Sequence, residues 1–156
     1  MTDTREVILA RLLVILGTIE GVAGSGATKA VGRNIDDVPA GWSDRRPAIL
    51  LQDAVEEFFD APPLDRRSAV QRMALRPVLT ILAGADAKDV GALLNLFRAR
   101  LIAAVLSDAD LRTLVGTNGR VHYAGCERLP AGPESKEGRM EVTFVFTYVL
   151  RLTDLS

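Results

Sequence analysis

Cys126 and His122 are the single cysteine and the single histidine of this 156-residue chain, and so its one candidate nucleophile–base pair of that type. An imidazole activates a thiol only when the two hydrogen-bond at about 3 Å. Both residues fall in Arg120 to Glu127, which reads as a strand after the Asn118-Gly119 turn signal. Four residues of separation should then place them on one face but ~13 Å apart, too far for a dyad. A zinc site needs three or four ligands, and the chain has no further Cys or His to complete one. Cys126 is expected to be a packed small residue and His122 a polar strand residue.

Two other patterns hint at chemistry. Gly21 to Lys29 is glycine-rich, but Ala27 and Thr28 separate Gly26 from Lys29 and a helix precedes the segment. A phosphate-binding loop needs lysine directly after its last glycine and a strand before it, so a turn is the better reading. Lys29 also stands where the third glycine of a dinucleotide fingerprint belongs. Asp53, Glu56, Glu57 and Asp60 form an acidic group that in principle suits a hard cation or a paired acid and base. A basic group, Arg66, Arg67, Arg72 and Arg76, follows closely. Blocks of opposite charge pair or solvate, so ion pairing within the chain or between chains is expected. Nucleic-acid binding by the arginines lacks interleaved aromatics and is disfavoured by the adjacent acids. No catalytic residue, metal site or cofactor is assigned.

The elements that carry these residues follow from periodicity. Asp3 and Glu6 open a helix with Ile8, Leu12, Ile15, Leu16 and Ile19 at helical spacing, ended by Gly21. Thr28 to Asn34 suits a short strand, and a loop follows with the lone tryptophan, Trp42. Ala48 to Ala54 and Ser68 to Ala83 make the two arms of a long hairpin over about 47–83, with Pro62-Pro63 between them. Pro77 lacks a ladder donor and favours an edge or a bulge in the second arm. Val90, Leu93, Leu94, Phe97, Leu101, Ala104 and Val105 form the broadest helical stripe. Ser107 with Asp110 suggests the cap of a short following helix.

Met140 to Leu152 alternates cleanly. Met140, Val142, Phe144, Phe146, Tyr148, Leu150 and Leu152 form one face, and the other is rich in threonine and valine. Such a strand is ~43 Å long, while a domain of this size has a diameter of roughly 40 Å. It must cross the domain, bend, or reach a neighbour. The expected fold is α+β: a mixed, mainly antiparallel sheet of about five strands with two or three helices on one face.

Bulk properties set bounds. The length suits one domain, 1–156, with a sizeable core. A formal net charge of -1 gives no overall basic field, and one cysteine forms no internal disulfide, consistent with a reducing cytoplasm. The apolar run Val7 to Leu16 contains Arg11 and is too short to span a bilayer, so no membrane partner is expected.

End to end, the chain resembles the tail terminator proteins of long-tailed bacteriophages and related prophage or gene-transfer particles. The similarity is carried by Arg5-Glu-Val-Ile-Leu-Ala-Arg-Leu-Leu, Val31-Gly-Arg-Asn34 and Arg46-Pro-Ala-Ile-Leu-Leu-Gln-Asp53. It continues through Leu96-Phe-Arg-Ala-Arg-Leu-Ile102, Asn118-Gly-Arg-Val-His-Tyr-Ala-Gly-Cys126 and Glu137-Gly-Arg-Met to Phe144-Val-Phe-Thr-Tyr-Val149. This resemblance implies a homo-hexameric ring that caps the tail tube, stops its polymerisation and offers the joining surface for the head–tail connector. Its partners would be further copies of itself, the tube protein and the neck proteins, with DNA passing through the ring without sequence-specific binding. The location would be the virion, assembled in the bacterial host cytoplasm. The expected subunit contact is the charged hairpin, through Asp53, Glu56, Glu57, Arg66, Arg67 and Arg72, together with the odd strand face at Val145 and Thr147.

Overall fold

The structure, a computed structural model, describes residues 3–19, 30–33, 48–53, 55–59, 70–84, 89–129 and 137–151. In chain order these form α1 (Thr4–Leu16), β1 (Ala30–Arg33), β2 (Ala48–Gln52), β3 (Glu56–Phe58), β4 (Val70–Leu75) and β5 (Val78–Gly84). There follow α2 (Val90–Ser107), α3 (Ala109–Val115), β6 (Arg120–Leu129) and β7 (Glu137–Arg151). The α+β architecture is as the periodicity predicts.

Asp3 starts α1, its carboxylate accepting from the Arg5 backbone N–H at 3.0 Å. The helix stops at Leu16 with Gly17 as C-cap, four residues before the expected Gly21. Glycine is the poorest helix former after proline, and Gly17 is the first to interrupt the run. The cap of α3 is Asp108, not Ser107: its carboxylate accepts from the Leu111 N–H at 2.8 Å.

Seven strands hydrogen-bond along the path β1-β2-β5-β7-β4-β3, with β6 added to β7. Their registers resolve into five lateral ranks. β5 pairs with β7 from Val78↔Thr143 to Gly84↔Glu137, and β4 continues the same register from Leu75↔Phe146 to Val70↔Arg151. β4 and β5 are thus one arm along one edge of β7, and β6 occupies the other edge. β2 and β3 make the first arm of the hairpin, pairing with β5 and β4. β1 lies parallel to β2.

Pro77 stands at the β4–β5 break. Its carbonyl still accepts from the Phe144 N–H at 3.3 Å, and Arg76 N–H donates to the Val55 carbonyl at 3.2 Å. Across the hairpin the pairing slips by one residue between Gln52↔Val78 and Glu56↔Leu75. The proline is therefore accommodated in an inner rank by a bulge, not on an edge. β7 is partnered along this edge from Glu137 to Arg151, so the long strand crosses the domain.

The even face of β7 builds the core. Met140, Val142, Phe144, Phe146 and Tyr148 pack with Ile49, Leu51, Leu79 and Ile81 against buried residues of all three helices. Leu150 is partly buried against this cluster, and Leu152 lies outside the described residues. α2 is long and apolar enough to cross a membrane by length and composition alone. Here Val90, Leu94, Phe97, Leu101 and Val105 are buried, and Leu94 to Val105 join the main core. The opposite sheet face is also closed at its centre, where Leu50, Thr80, Leu82, Val145 and Thr147 are each 5% exposed or less.

Candidate functional site

Two of the hairpin carboxylates pair inside the chain, Glu57 across the two arms and Asp53 with an arginine outside the hairpin. Asp53 receives two hydrogen bonds from Arg33, Nε and Nη2 each at 2.8 Å. The same guanidinium makes a second fork to Glu6 at 2.7 and 2.9 Å, so Arg33 ties α1, β1 and the end of β2 together. These bonds from Arg33 hold the Glu6 carboxyl below its ordinary range. Glu57 accepts from Arg76 Nε at 2.8 Å across the two arms. Arg72 lies over the Phe59 ring with its Cζ 4.8 Å from the centroid, a cation–π arrangement. Glu56 sits on the core face, where Tyr148 Oη donates to it and burial pushes its carboxyl up. Arg66 and Arg67 lie outside the described residues.

Val145 and Thr147 do not offer an open surface. Each is only 3% exposed within one chain, and Thr147 Oγ1 accepts from the Arg120 N–H at 3.0 Å. The odd face of β7 is closed there, and the Thr147 hydroxyl also ties the start of β6 to the strand.

His122 and Cys126 do not share a face. The β6–β7 register shifts between Tyr123↔Phe144 and Gly125↔Thr143, and Gly125 takes φ +138°, a value that favours glycine. The extra residue turns His122 toward the Val145 side and Cys126 toward the Val142 side. Cys126 is exposed instead of packed. Among the described residues, no group of three or more His, Cys, Asp and Glu is placed to hold a metal ion.

What sequence reasoning missed is apolar. Val55, Phe58, Phe59 and Val70 are 46–65% exposed, all in the distal half of the hairpin. Phe58 pairs with Met73 on the helix side, while the Phe59 N–H donates to the Arg72 carbonyl on the next position outward. Alternation places Val55, Phe59, Val70 and Arg72 on the opposite side, away from the helices. The signal was present in Phe58-Phe59, two adjacent aromatics in a segment otherwise read for its charge.

A second apolar feature lies between α1 and α3. Val7, Ala10, Val14 and Leu114 line a groove of about 420 Å³, with Arg11, Asp110 and Thr113 around it. Val14 is 56% exposed. Arg11 spans two carboxylates, 2.6 Å from Asp108 and 3.3 Å from Asp110. A larger open depression of about 650 Å³ runs between α3 and the start of β6, lined by Arg112, Arg120 and His122 among apolar residues. Arg112 is engaged there, donating to the Ser107 carbonyl at 2.9 Å. The features shared by these surfaces are exposed apolar side chains bordered by charge, which suit protein contact.

No protein-family model matches this chain, and no curated protein matches it in sequence.

Proposed function

We propose that this chain is a structural virion subunit of the tail-terminator type. It forms a closed, hexameric ring on the head-proximal end of the tail tube, stops tube polymerisation and presents the surface that the head–tail connector binds. The whole-length resemblance supplies the specific role. The observation that carries the reading is the hairpin's distal half, which leaves Val55, Phe58, Phe59 and Val70 exposed. Soluble monomers keep exposed apolar patches small, and several exposed apolar side chains on one hairpin are characteristic of a contact surface. The hairpin's ion pairs, Asp53 with Arg33 and Glu57 with Arg76, brace that arm against the sheet.

The closest rival within the same class is another neck or head–tail completion protein, or a tube-like subunit. Electron microscopy of particles assembled without this chain separates the readings. A terminator's loss gives overlong or head-free tails. Normal-length tails beside separate filled heads overturn the terminator role in favour of a connector.

A further inference from the structure

We propose that β6 pairs antiparallel with β6 of a second copy of this chain, across a two-fold axis at its bulge, setting Arg120 of each copy against Glu127 of the other. The inference is independent of the ring reading, since a two-fold contact joins chains in pairs and cannot by itself build a ring of six.

The main chain of β6 has one open side. The Phe144 N–H donates to the Pro77 carbonyl, so even positions of β7 turn their main-chain groups toward β4 and β5. Val121, Tyr123, Cys126 and Arg128 stand opposite even positions of β7, and by alternation their N–H and C=O groups point away from it. Among the described residues no strand hydrogen-bonds to that edge, and Cys126 and Arg128 are exposed on it. An open edge on a strand of 10 residues is a template for a further strand.

The strand that fits this edge is β6 itself. A bulge and edge charges ordinarily keep strands apart. In β6 both are disposed about one centre, with Arg120 and Glu127 equally far in sequence from the Tyr123–Ala124 bond. A two-fold axis there sets Arg120 opposite Glu127, Val121 opposite Cys126 and His122 opposite Gly125 of the second copy. The bulge makes the faces agree. Arg120 and Glu127 both lie away from the helices, opposite Thr147 and Glu141, while Val121 and Cys126 both lie on the core side, opposite Phe146 and Val142. Without the extra residue, Arg120 and Glu127 would face opposite ways. Val121 and Cys126 are both open to the edge, so they exchange main-chain hydrogen bonds on each side of the axis.

Charge favours the same match. Glu127 stands directly opposite Glu141 of its own chain, a like-charge pair that costs stability. Arg139 lies 3.9 Å from Glu141, and Arg128 lies on the core side against Gly91 of α2. Glu127 and Arg120 are exposed, and among the described residues neither side chain has an ion-pair partner. The undescribed residues that follow β6 directly, 130–133, carry no charge. Pairing brings an arginine to each Glu127 and a carboxylate to each Arg120, which fixes the register as well as the partner.

Sedimentation velocity of the full chain from micromolar to millimolar concentration should show association that grows with concentration. Arg120→Glu and Glu127→Lys each bring like charges together on both sides of the axis, and each should weaken pairing by about tenfold or more. An equimolar mixture of the two should regain wild-type association, since every mixed pair has opposite charges at both positions. Val121→Cys reads the register: oxidation with diamide should join it to the native Cys126 of the second copy as a disulfide-linked dimer. Wild type, and Val121→Cys combined with Cys126→Ser, should stay unlinked, because identical positions lie roughly 16 Å apart along the paired strands. In dilute solution the pair dissociates, so the edge amides of Val121, Tyr123 and Cys126 exchange fast there and gain protection as concentration rises. Circular dichroism melts identify any variant that fails to fold; if that is Val121→Cys, the charge pair decides.

A wild-type chain that stays monomeric at millimolar concentration overturns the contact. So do single charge variants that associate like wild type, a mixture that does not recover, or a folded Val121→Cys chain that links no more than its controls. The particle experiment reads separately: tail length bears on the terminator role alone, and the charge swap and cross-link bear on this contact alone.

Discussion

Asp108 joins three helices, α2 through its backbone N–H and the other two through its carboxylate. It closes α2 as C-cap, opens α3 by accepting from the Leu111 N–H, and accepts from Arg11 of α1 at 2.6 and 3.2 Å. The bonds from Arg11, aided by the Leu111 N–H, hold its carboxyl below the ordinary range against the opposing effect of burial. Asp108→Ala should destabilise the fold by about 2 kcal/mol, losing cap and ion pair together, and Asp108→Asn by about 1 kcal/mol because its amide oxygen still caps. A depressed folded pKa means the contribution is complete above the unfolded value of about 3.9 and is lost as pH falls through the folded one. Arg11→Gln should therefore lower stability at neutral pH, with the deficit shrinking in acid. Urea unfolding across a pH series checks this; a pH-independent deficit would show that Arg11 acts through packing alone. The acidic and basic blocks of 53–76 were visible in the sequence, yet the pairing of Asp53 with Arg33 was not. Their pairing depends on β1 lying beside β2, which local charge patterning cannot reveal.

At the scale of elements, α2 sits close to β7 because Gly138 has no side chain. A Cβ there would meet Val90 Cγ2 and come within 2.9 Å of Leu94 Cδ1. Gly138→Ala should cost about 2 kcal/mol through overpacking. Val90→Ala should recover part of that loss, giving a favourable coupling in a double-mutant cycle measured by denaturant unfolding. Additive losses would mean that the helix is held off the strand elsewhere. The hairpin was legible from its hydrophobic alternation and from Pro62-Pro63 between the arms. Its bulge was legible only as an ambiguity at Pro77, since the compensating slip lies on the other arm. The β6 bulge was not legible, because the extra residue before Gly125 leaves alternation intact on each side.

For the whole molecule, the last strand is the keystone. Residues 139–143 of β7 hydrogen-bond to β5 on one edge and β6 on the other, and Phe146 and Thr147 likewise join β4 and β6. Native-state hydrogen exchange should find the β7 amides among the slowest in the chain. Outward-pointing amides of β6, whose second edge carries no strand among the described residues, should exchange fast. Equal protection of the two would mean that β6 has a partner in solution, as edge pairing between copies would provide.

Taken by itself, the sequence determined the α+β class, the long hairpin, the α2 stripe and the even face of β7. Each is written in a local period that burial enforces wherever the element lands. Only the tertiary structure decided that Val145 and Thr147 are enclosed, that His122 and Cys126 face opposite ways, and that Val55, Phe58, Phe59 and Val70 stand exposed on the hairpin. Those properties belong to register and layer stacking. A shift of one residue in a ladder reverses every side chain beyond it, and alternation alone does not state where that shift occurs.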